Sequence, residues 1–322
     1  MSIELNPVVS VGITTYKRPE GLKQVLDGLV QQTYSNLEII VSDNCSDMPE
    51  VEKILADFER SDPRFRIIRQ PVNIGMEANH TFVARQATGD LYLWLHDDDY
   101  IPENYIERCV ARFADGPDIE LVGPRADAYM EGRFWYSYRN YSNLGVSVFD
   151  RLWGLMPIGY TWSSAFQQYF YGVFRRETLQ EFLWQDGEYY HKQTFSLFFE
   201  ISERGYIHFV DDVKLKKYNF NSDFKKWRDK NYVDKPKRWK FAGSKVEELI
   251  PMTLTIVKTV AKSQKLSLWE KTRLIAFCFY NFLGAVLNSR IPLWKRILRF
   301  PFRLVRKLLH VIDRVLERIL RS

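Results

Sequence analysis

The sequence predicts an α/β fold, with a mostly parallel sheet and helices on both faces, followed by a helical C-terminal region. Three observations predict it. Short β-rich apolar runs alternate with helix-period stripes through the first 125 residues, the pattern of βαβ units. One of these runs, Leu91-Tyr92-Leu93-Trp94-Leu95-His96, ends abruptly in three consecutive acids, Asp97-Asp98-Asp99. In open α/β sheets ligands bind beyond the carboxyl ends of the strands. Beyond residue 242 the pattern is helical and the final segment is strongly basic.

The elements follow in order. Val8 to Thr14 is apolar and β-rich; a helix begins after Pro19, with Leu22, Val25, Leu26, Leu29 and Val30 on one stripe. Leu37 to Val41 is a second strand. Val51, Ile54, Leu55 and Phe58 mark a second helix, and Phe65 to Ile68 a third strand. A helix over Met76 to Ala87 leads into the strand Leu91 to Leu95. Right-handed crossovers then put the loops after these strands on one edge. From Phe134 to Tyr171 aromatics crowd, 13 in 38 residues, a composition that fills cores and also stacks on sugar faces. Helices resume at Arg175 to Leu183 and Phe195 to Arg204, with a strand at Tyr206 to Val210. The expected organisation is an α/β unit over 1–218, a polar linker over 219–242 and a helical region over 243–322. The α/β unit divides into halves at 1–125 and 126–218.

Composition excludes several classes. Hydrophobic content of 46% and charged content of 27% belong to a globular chain. Cys45, Cys109 and Cys278 are too few and too scattered for a disulfide framework or a zinc site, which fits a reducing cytoplasm. Met1-Ser2-Ile3-Glu4-Leu5 lacks the basic-then-apolar start of a signal peptide. No Gly-x-Gly-x-x-Gly or Walker-type loop occurs. The net charge of +6 is misleading as a global figure: residues 290–322 carry ten Lys or Arg against two acids, and the rest of the chain is slightly acidic. The basicity therefore points to no nucleic-acid surface on the α/β unit.

The acid triplet carries chemistry. Three adjacent carboxylates repel one another, and a hard cation such as Mg²⁺ or Mn²⁺ relieves the conflict by taking oxygen ligands. A solvated Asp-rich turn is the plain alternative.

The order of motifs resembles GT-A fold glycosyltransferases of family 2. Val9 to Pro19 is similar to that family's first strand and loop, and Ile39 to Asp47 to its second strand and acidic turn. Asn73-Ile74-Gly75, Asn79 and Gly89-Asp90 match the elements before the fourth strand, and Asp97-Asp98-Asp99 looks like the DXD region. The resemblance implies a Rossmann-like nucleotide-binding half over 1–125 and an acceptor half over 126–218. It implies transfer of a sugar from a nucleotide-sugar, a UDP-sugar favoured, with inversion. The donor would meet Thr15, Tyr16, Arg18, Asp43, Asn79 and Asp97, with Asp43 accepting from the base and Asp97 on the ribose side. Asp98 and Asp99 would hold Mn²⁺ or Mg²⁺, Asp99 also touching the acceptor. The family's Glu-Asp pair, about 11 residues before a late Gly, falls on Gln193-Thr194 when counted back from Gly205. The catalytic base is then sought among Asp186, Glu188, His191 and Asp99. Arg175 and Arg176 either meet phosphate or simply begin a helix.

Leu274 to Leu287 has no charge, yet 14 residues are fewer than the ~20 that span a bilayer. It reads as a packed helix or one dipping into an interface. From Phe302 an apolar stripe, Val305, Leu308, Leu309, Ile312, Val315, Leu316 and Ile319, runs beside an Arg-rich face. That is the pattern of a helix lying on a membrane surface; self-association into a homo-oligomer is the alternative. The resulting expectation is an enzyme peripheral on the inner face of the membrane, acting on a glycan or lipid-linked acceptor in cell-surface polysaccharide assembly. A membrane-recruited nucleotidyltransferase and a degenerate, non-catalytic glycan-binding scaffold are the alternatives.

Overall fold

The computed structural model describes residues 6–97, 99–130, 133–137, 142–155, 170–186, 194–218 and 256–289. Its centre is a nine-stranded sheet, ordered β3-β2-β1-β4-β8-β6-β9-β5 with β7 paired to β6. Strands β1 (Val9–Thr15), β2 (Leu37–Asp43), β3 (Phe65–Arg69) and β4 (Leu91–His96) are mutually parallel. Helices α1 (Pro19–Val30), α2 (Pro49–Ser61) and α3 (Met76–Arg85) make their crossovers. This is the parallel half the hydrophobic alternation predicts.

The second half of the sheet is mixed. The short strand β5 (Asp99–Tyr100) turns back from β4 and pairs antiparallel with β9 (Tyr206–Tyr218). Between them come α4 (Tyr105–Arg112), β6 (Ile119–Met130), β7 (Arg133–Ser137), α5 (Val148–Leu155) and β8 (Val173–Arg175). Helices α6 (Arg176–Asp186) and α7 (Thr194–Arg204) precede β9. Because β8 is antiparallel to both β4 and β6, and β6 is parallel to β9, the carboxyl ends of β1, β2, β4, β6 and β9 share one edge. The sequence pattern hides β6 because Pro124 interrupts it; the register with β9 shifts between Pro124 and Arg125, where a missing N–H costs the ladder least.

Each central strand alternates its side chains between two cores. Val9, Val11, Ile13, Ile39, Val41, Leu91, Leu93 and Leu95 pack with the stripes of α1, α2 and α4. Ile40, Tyr92 and Trp94 face Val83, Leu152, Leu179, Leu197 and Phe198 on the other side. Gly12 is required where it is: a Cβ there would overlap the hydroxyl of Tyr92, which is fully buried beside it.

The helical C-terminal region joins the second core. Ile256, Val260, Leu266, Leu274 and Cys278 are buried in it, so the stretch 256–262 and α8 (Leu268–Ser289) are packed on the α/β unit. Phe277 meets Trp153 at 4.6 Å, and the Arg273 guanidinium covers Phe149 and Trp153. No helix among the described residues is long and apolar enough to cross a membrane. The linker at 219–242 and the basic tail at 290–322 lie outside the described residues.

Candidate active site

The site forms where the register brings three strand ends together. Thr15 closes β1, with Asp43 beside it on β2, while Thr14 is paired with His96 on β4. Thr15 therefore sits between two buried acids, Asp43 and Asp97, which are 7% and 6% exposed. Burial of two carboxylates needs compensation, and the two receive it differently.

Asp97 is neutralised. Thr15 Oγ1 donates to its Oδ2 at 2.9 Å and Arg18 Nη1 to its Oδ1 at 2.9 Å. Arg18 is the residue just before α1, where Pro19 starts the helix. Among the described residues no cation is hydrogen-bonded to Asp43, although Arg69, its partner on β3, acts on it electrostatically. The Asp43 oxygens accept from the Ser46 N–H and hydroxyl, closing a small turn. Burial raises its carboxyl above the usual carboxylate range, with the Ser46 bonds only partly offsetting the effect.

The loops carrying these groups hold unusual backbone. Lys17, Cys45 and Asp47 all have φ between 48° and 62°, a left-handed conformation rare for residues other than glycine. Cross-links over-determine it, as strained loops at functional sites require. Lys17 N–H donates to Ser46 Oγ at 2.9 Å, and Asn44 N–H to Thr15 O at 3.0 Å. Asn44 in turn clasps the loop before α3: its Nδ2 donates to Asn73 Oδ1, while Ile74 N–H donates to its Oδ1. Asn73 also accepts from the N–H of Gly75, which takes φ 86° to start α3. Tyr16 lies in the first loop, with the Lys17 ammonium 5.3 Å from its ring centre.

Asn79 is 1% exposed. It accepts from Ser42 Oγ at 2.6 Å and donates to Ser42 O at 3.0 Å, bolting α3 to β2. The amide thus serves the strand carrying Asp43, and the structure does not bring it to the loops over the sheet edge. The next residue, His80, is one the sequence reading missed. Its Nδ1 lies 2.9 Å from Thr14 Oγ1 and its ring is 4.7 Å from that of His96. Asp99 turns back on His96, whose backbone N–H and Nδ1 reach its Oδ2 at 3.0 and 3.1 Å. Phe170 and Tyr171 pack around the same ring. The aromatic crowding is therefore partly the floor of the acidic turn.

Asp98 lies outside the described residues, as do Glu188 and His191. Asp186 is the last residue of α6. α6 starts at the amino edge, where Arg176 N–H donates to Asp90 O and Gln180 Nε2 donates to Ala87 O. α7 returns to that edge, with Tyr206 N–H on Asp118 O. The start of α6 and the end of α7 are thus fixed at the amino edge, and the connection 187–193 between them lies outside the described residues. Arg175 and Arg176 are not on the side of Thr15, Asp43 and Asp97. β8 runs against β4, so both arginines fall at its start: Arg175 donates to Pro117 O and Ile119 O, and Arg176 to Gly89 O and Gln180. They begin a helix and brace the far edge.

The described residues provide no preformed cage for a divalent cation: no three His, Cys, Asp or Glu among them converge. Mg²⁺ and Mn²⁺ at phosphate sites ordinarily take only one or two carboxylates, with phosphate and water completing the shell. A run of acids whose neighbours are hydrogen-bonded into fixed orientation fits that sparse arrangement.

Residues 10–183 match the family model described as glycosyl transferase family 2. An uncharacterized glycosyltransferase of Haemophilus influenzae is 30% identical over 115 residues, 36% of this chain and 37% of that protein. The chain spans well under half the length of the curated relatives it matches. Among solved structures, S. aureus TarS 1–349 in complex with UDP-GlcNAc superposes with a TM-score of 0.60, covering 89% of this chain and 77% of that one at 14% identity. The mannosyltransferase PcManGT of Pyrobaculum calidifontis, in complex with GDP-Man and Mn²⁺, gives 0.51 over 94% and 83% at 14% identity. At such identity these two structures establish the shared fold.

Proposed function

The chain belongs to glycosyl transferase family 2, and we propose that it transfers a sugar from a UDP-sugar to a lipid-linked glycan acceptor, with inversion, in cell-surface polysaccharide or glycoconjugate assembly. One observation carries the reading: Thr15 stands between two buried carboxylates at the carboxyl ends of adjacent strands. Asp43, which no cation neutralises among the described residues, accepts the imide proton of the base. Asp97, held by Thr15 and Arg18, faces the ribose hydroxyls. The Lys17 and Tyr16 loop lies beneath the nucleotide. A nucleotide-sugar bound by the TarS structure, and GDP-Man with Mn²⁺ in PcManGT, support a nucleoside diphosphate in this place.

Asp98 is the proposed ligand of Mn²⁺ or Mg²⁺, with Asp99 beside it. Bound there, the cation would neutralise charge on the leaving diphosphate as a Lewis acid. A base must take the acceptor proton. The base is sought at Asp186, in the connection after it, which carries Glu188 and His191, or at Asp99.

Membrane attachment belongs to the same proposal. α8 starts at the amino edge, where Lys265 Nζ donates to the carbonyls of Glu203 and Arg204. It rises beside α5, and its 22 residues extend about 33 Å. The segment 290–322, at +8, supplies the charge such attachment needs. Binding of that segment to an anionic leaflet would bring the enzyme to a lipid-linked acceptor on the inner face of the membrane.

The test is turnover of a panel of nucleotide sugars by the full chain, with and without Mn²⁺, beside Asp98→Ala. Donor-specific turnover that Asp98→Ala abolishes supports the proposal. Full activity of Asp98→Ala, or no nucleotide sugar bound or turned over by the wild type, refutes it.

A further inference from the structure

Two histidines lie one above the other beneath the acidic turn, and neither has a role in the reaction described so far. His80 is 2% exposed. It is fixed at both ends, with Nδ1 2.9 Å from Thr14 Oγ1 and its carbonyl accepting from Trp94 Nε1 at 3.3 Å. Its ring lies against that of His96 at 4.7 Å, and Phe170 stacks near both. His96 spends its backbone N–H and its Nδ1 on one oxygen, Asp99 Oδ2. A carboxylate only accepts, so Nδ1 must carry the hydrogen. The bond therefore selects a tautomer, and the ring below selects its orientation.

We propose that His96, propped by His80, is a positioning residue that fixes the Asp99 carboxylate and thereby the geometry of the acidic turn for cation and donor diphosphate. The inference rests on the glycosyltransferase reading for its ligand, while the tautomer and the prop stand on the described residues alone. Carboxylates around a metal site are held by such outer partners, and losing one typically costs 10- to 100-fold in metal affinity. His80 acts one step further out: it keeps the imidazole of His96 from rotating away from Asp99. The chain Thr14, His80, His96, Asp99 thus links the end of β1 to the acidic turn through side chains.

The experiment has two arms. In the first, UDP binding to the full chain is measured by calorimetry in Mn²⁺ and in EDTA for the wild type, His96→Ala, His96→Asn and His80→Phe. An asparagine amide places an N–H close to where Nδ1 stands. His96→Ala should lose about tenfold of the Mn²⁺-dependent affinity and His96→Asn should recover most of it. His80→Phe, which keeps a flat ring and removes the bond to Thr14, should fall between them. All should retain the wild-type affinity in EDTA. A purely structural role gives the opposite pattern, a lower Tm with unchanged Mn²⁺ dependence, and that result overturns the proposal. In the second arm, imidazole ¹⁵N shifts are read in the full chain at alkaline pH. His96 should be the Nδ1–H tautomer and should lose that preference in Asp99→Asn. An Nε2–H tautomer for His96 overturns the proposal even when wild-type UDP binding is as expected. A wild type that binds no UDP but shows the Nδ1–H tautomer refutes the donor reading and leaves the prop supported.

Discussion

Asp43→Asn separates a donor-binding role from a structural one, because the two readings predict opposite changes. The carboxylate is buried, its described hydrogen bonds come from Ser46, and burial raises its pKa above the ordinary value despite those bonds and the charge of Arg69. A raised acid binds its proton more tightly in the folded chain than in the unfolded one. Stability therefore falls as pH rises from the unfolded toward the folded pKa, and at neutral pH the ionised group is a net cost. Asparagine removes that cost. Its Oδ1 still accepts from Ser46, so the turn survives and the neutral-pH Tm should stay level or rise.

The base site loses its charged acceptor instead. A hydrogen bond to a charged group contributes about 1.5–3 kcal/mol, so the Kd for UDP should rise roughly 10- to 150-fold. In the wild type, the same affinity should decline on acidification, starting at a pH above that of an ordinary aspartate, because protonation of Asp43 removes the acceptor. The decline should be absent from Asp43→Asn. Calorimetry across pH, beside thermal unfolding, reads both quantities. Unchanged UDP affinity in the variant removes Asp43 from the site. A lower Tm together with weaker binding makes it a structural residue of the turn.

Other outcomes follow from the packing and the loops. Gly12→Ala should destabilise the fold by about 1–3 kcal/mol through overpacking against Tyr92, and adding Tyr92→Phe should recover part of the lost Tm; no recovery would remove the hydroxyl as the cause. Asn73→Ala removes acceptors for Asn44 and Gly75 and should weaken UDP binding by about 1 kcal/mol or more with little change in Tm, as measured by calorimetry and thermal unfolding. A chain ending at Ser289 should stay folded, since the described cores close before that point, and should lose flotation with anionic liposomes, to which each basic residue contributes ~1 kcal/mol. Retained liposome binding would move the membrane role into α8, and conversion of a dimer to a monomer would make the tail an oligomerisation element.

The parallel half of the fold was legible because its physics is local. Strands β1 to β4 each carry an apolar face into the first core, β4 being apolar on both faces, and the stripes of α1 and α2 recur at helical spacing. The strand boundaries erred mainly at the carboxyl ends, where β1 to β4 continue through Thr15, Asp43, Arg69 and His96; polar residues there look like loop but are paired as strand. The mixed half was harder. β6 is broken by Pro124, and β5 is two residues held only by β9 over 100 positions later. No local pattern announces such a pairing.

The site divides in the same way. Acids in a motif are visible as composition, so Asp43 and the Asp97–Asp99 triplet stood out. What each acid does is decided by partners far away in sequence: Arg18 and Thr15 neutralise Asp97 across 79 and 82 positions, whereas Asp43 has a serine three residues on. The proposed roles rest on that difference: an acid paired with a guanidinium is held in place, while one held only by a serine has more to gain from a donor. His80 escaped notice for a related reason. A lone histidine on an amphipathic helix reads as core, and in burial it is core. Only the register of β1 against β4, which sets Thr14 beside His96, turns it from packing into the support of an acidic turn. The motif thus marks where the acids cluster, and the long-range pairings determine which of them is bound to a cation and which is not.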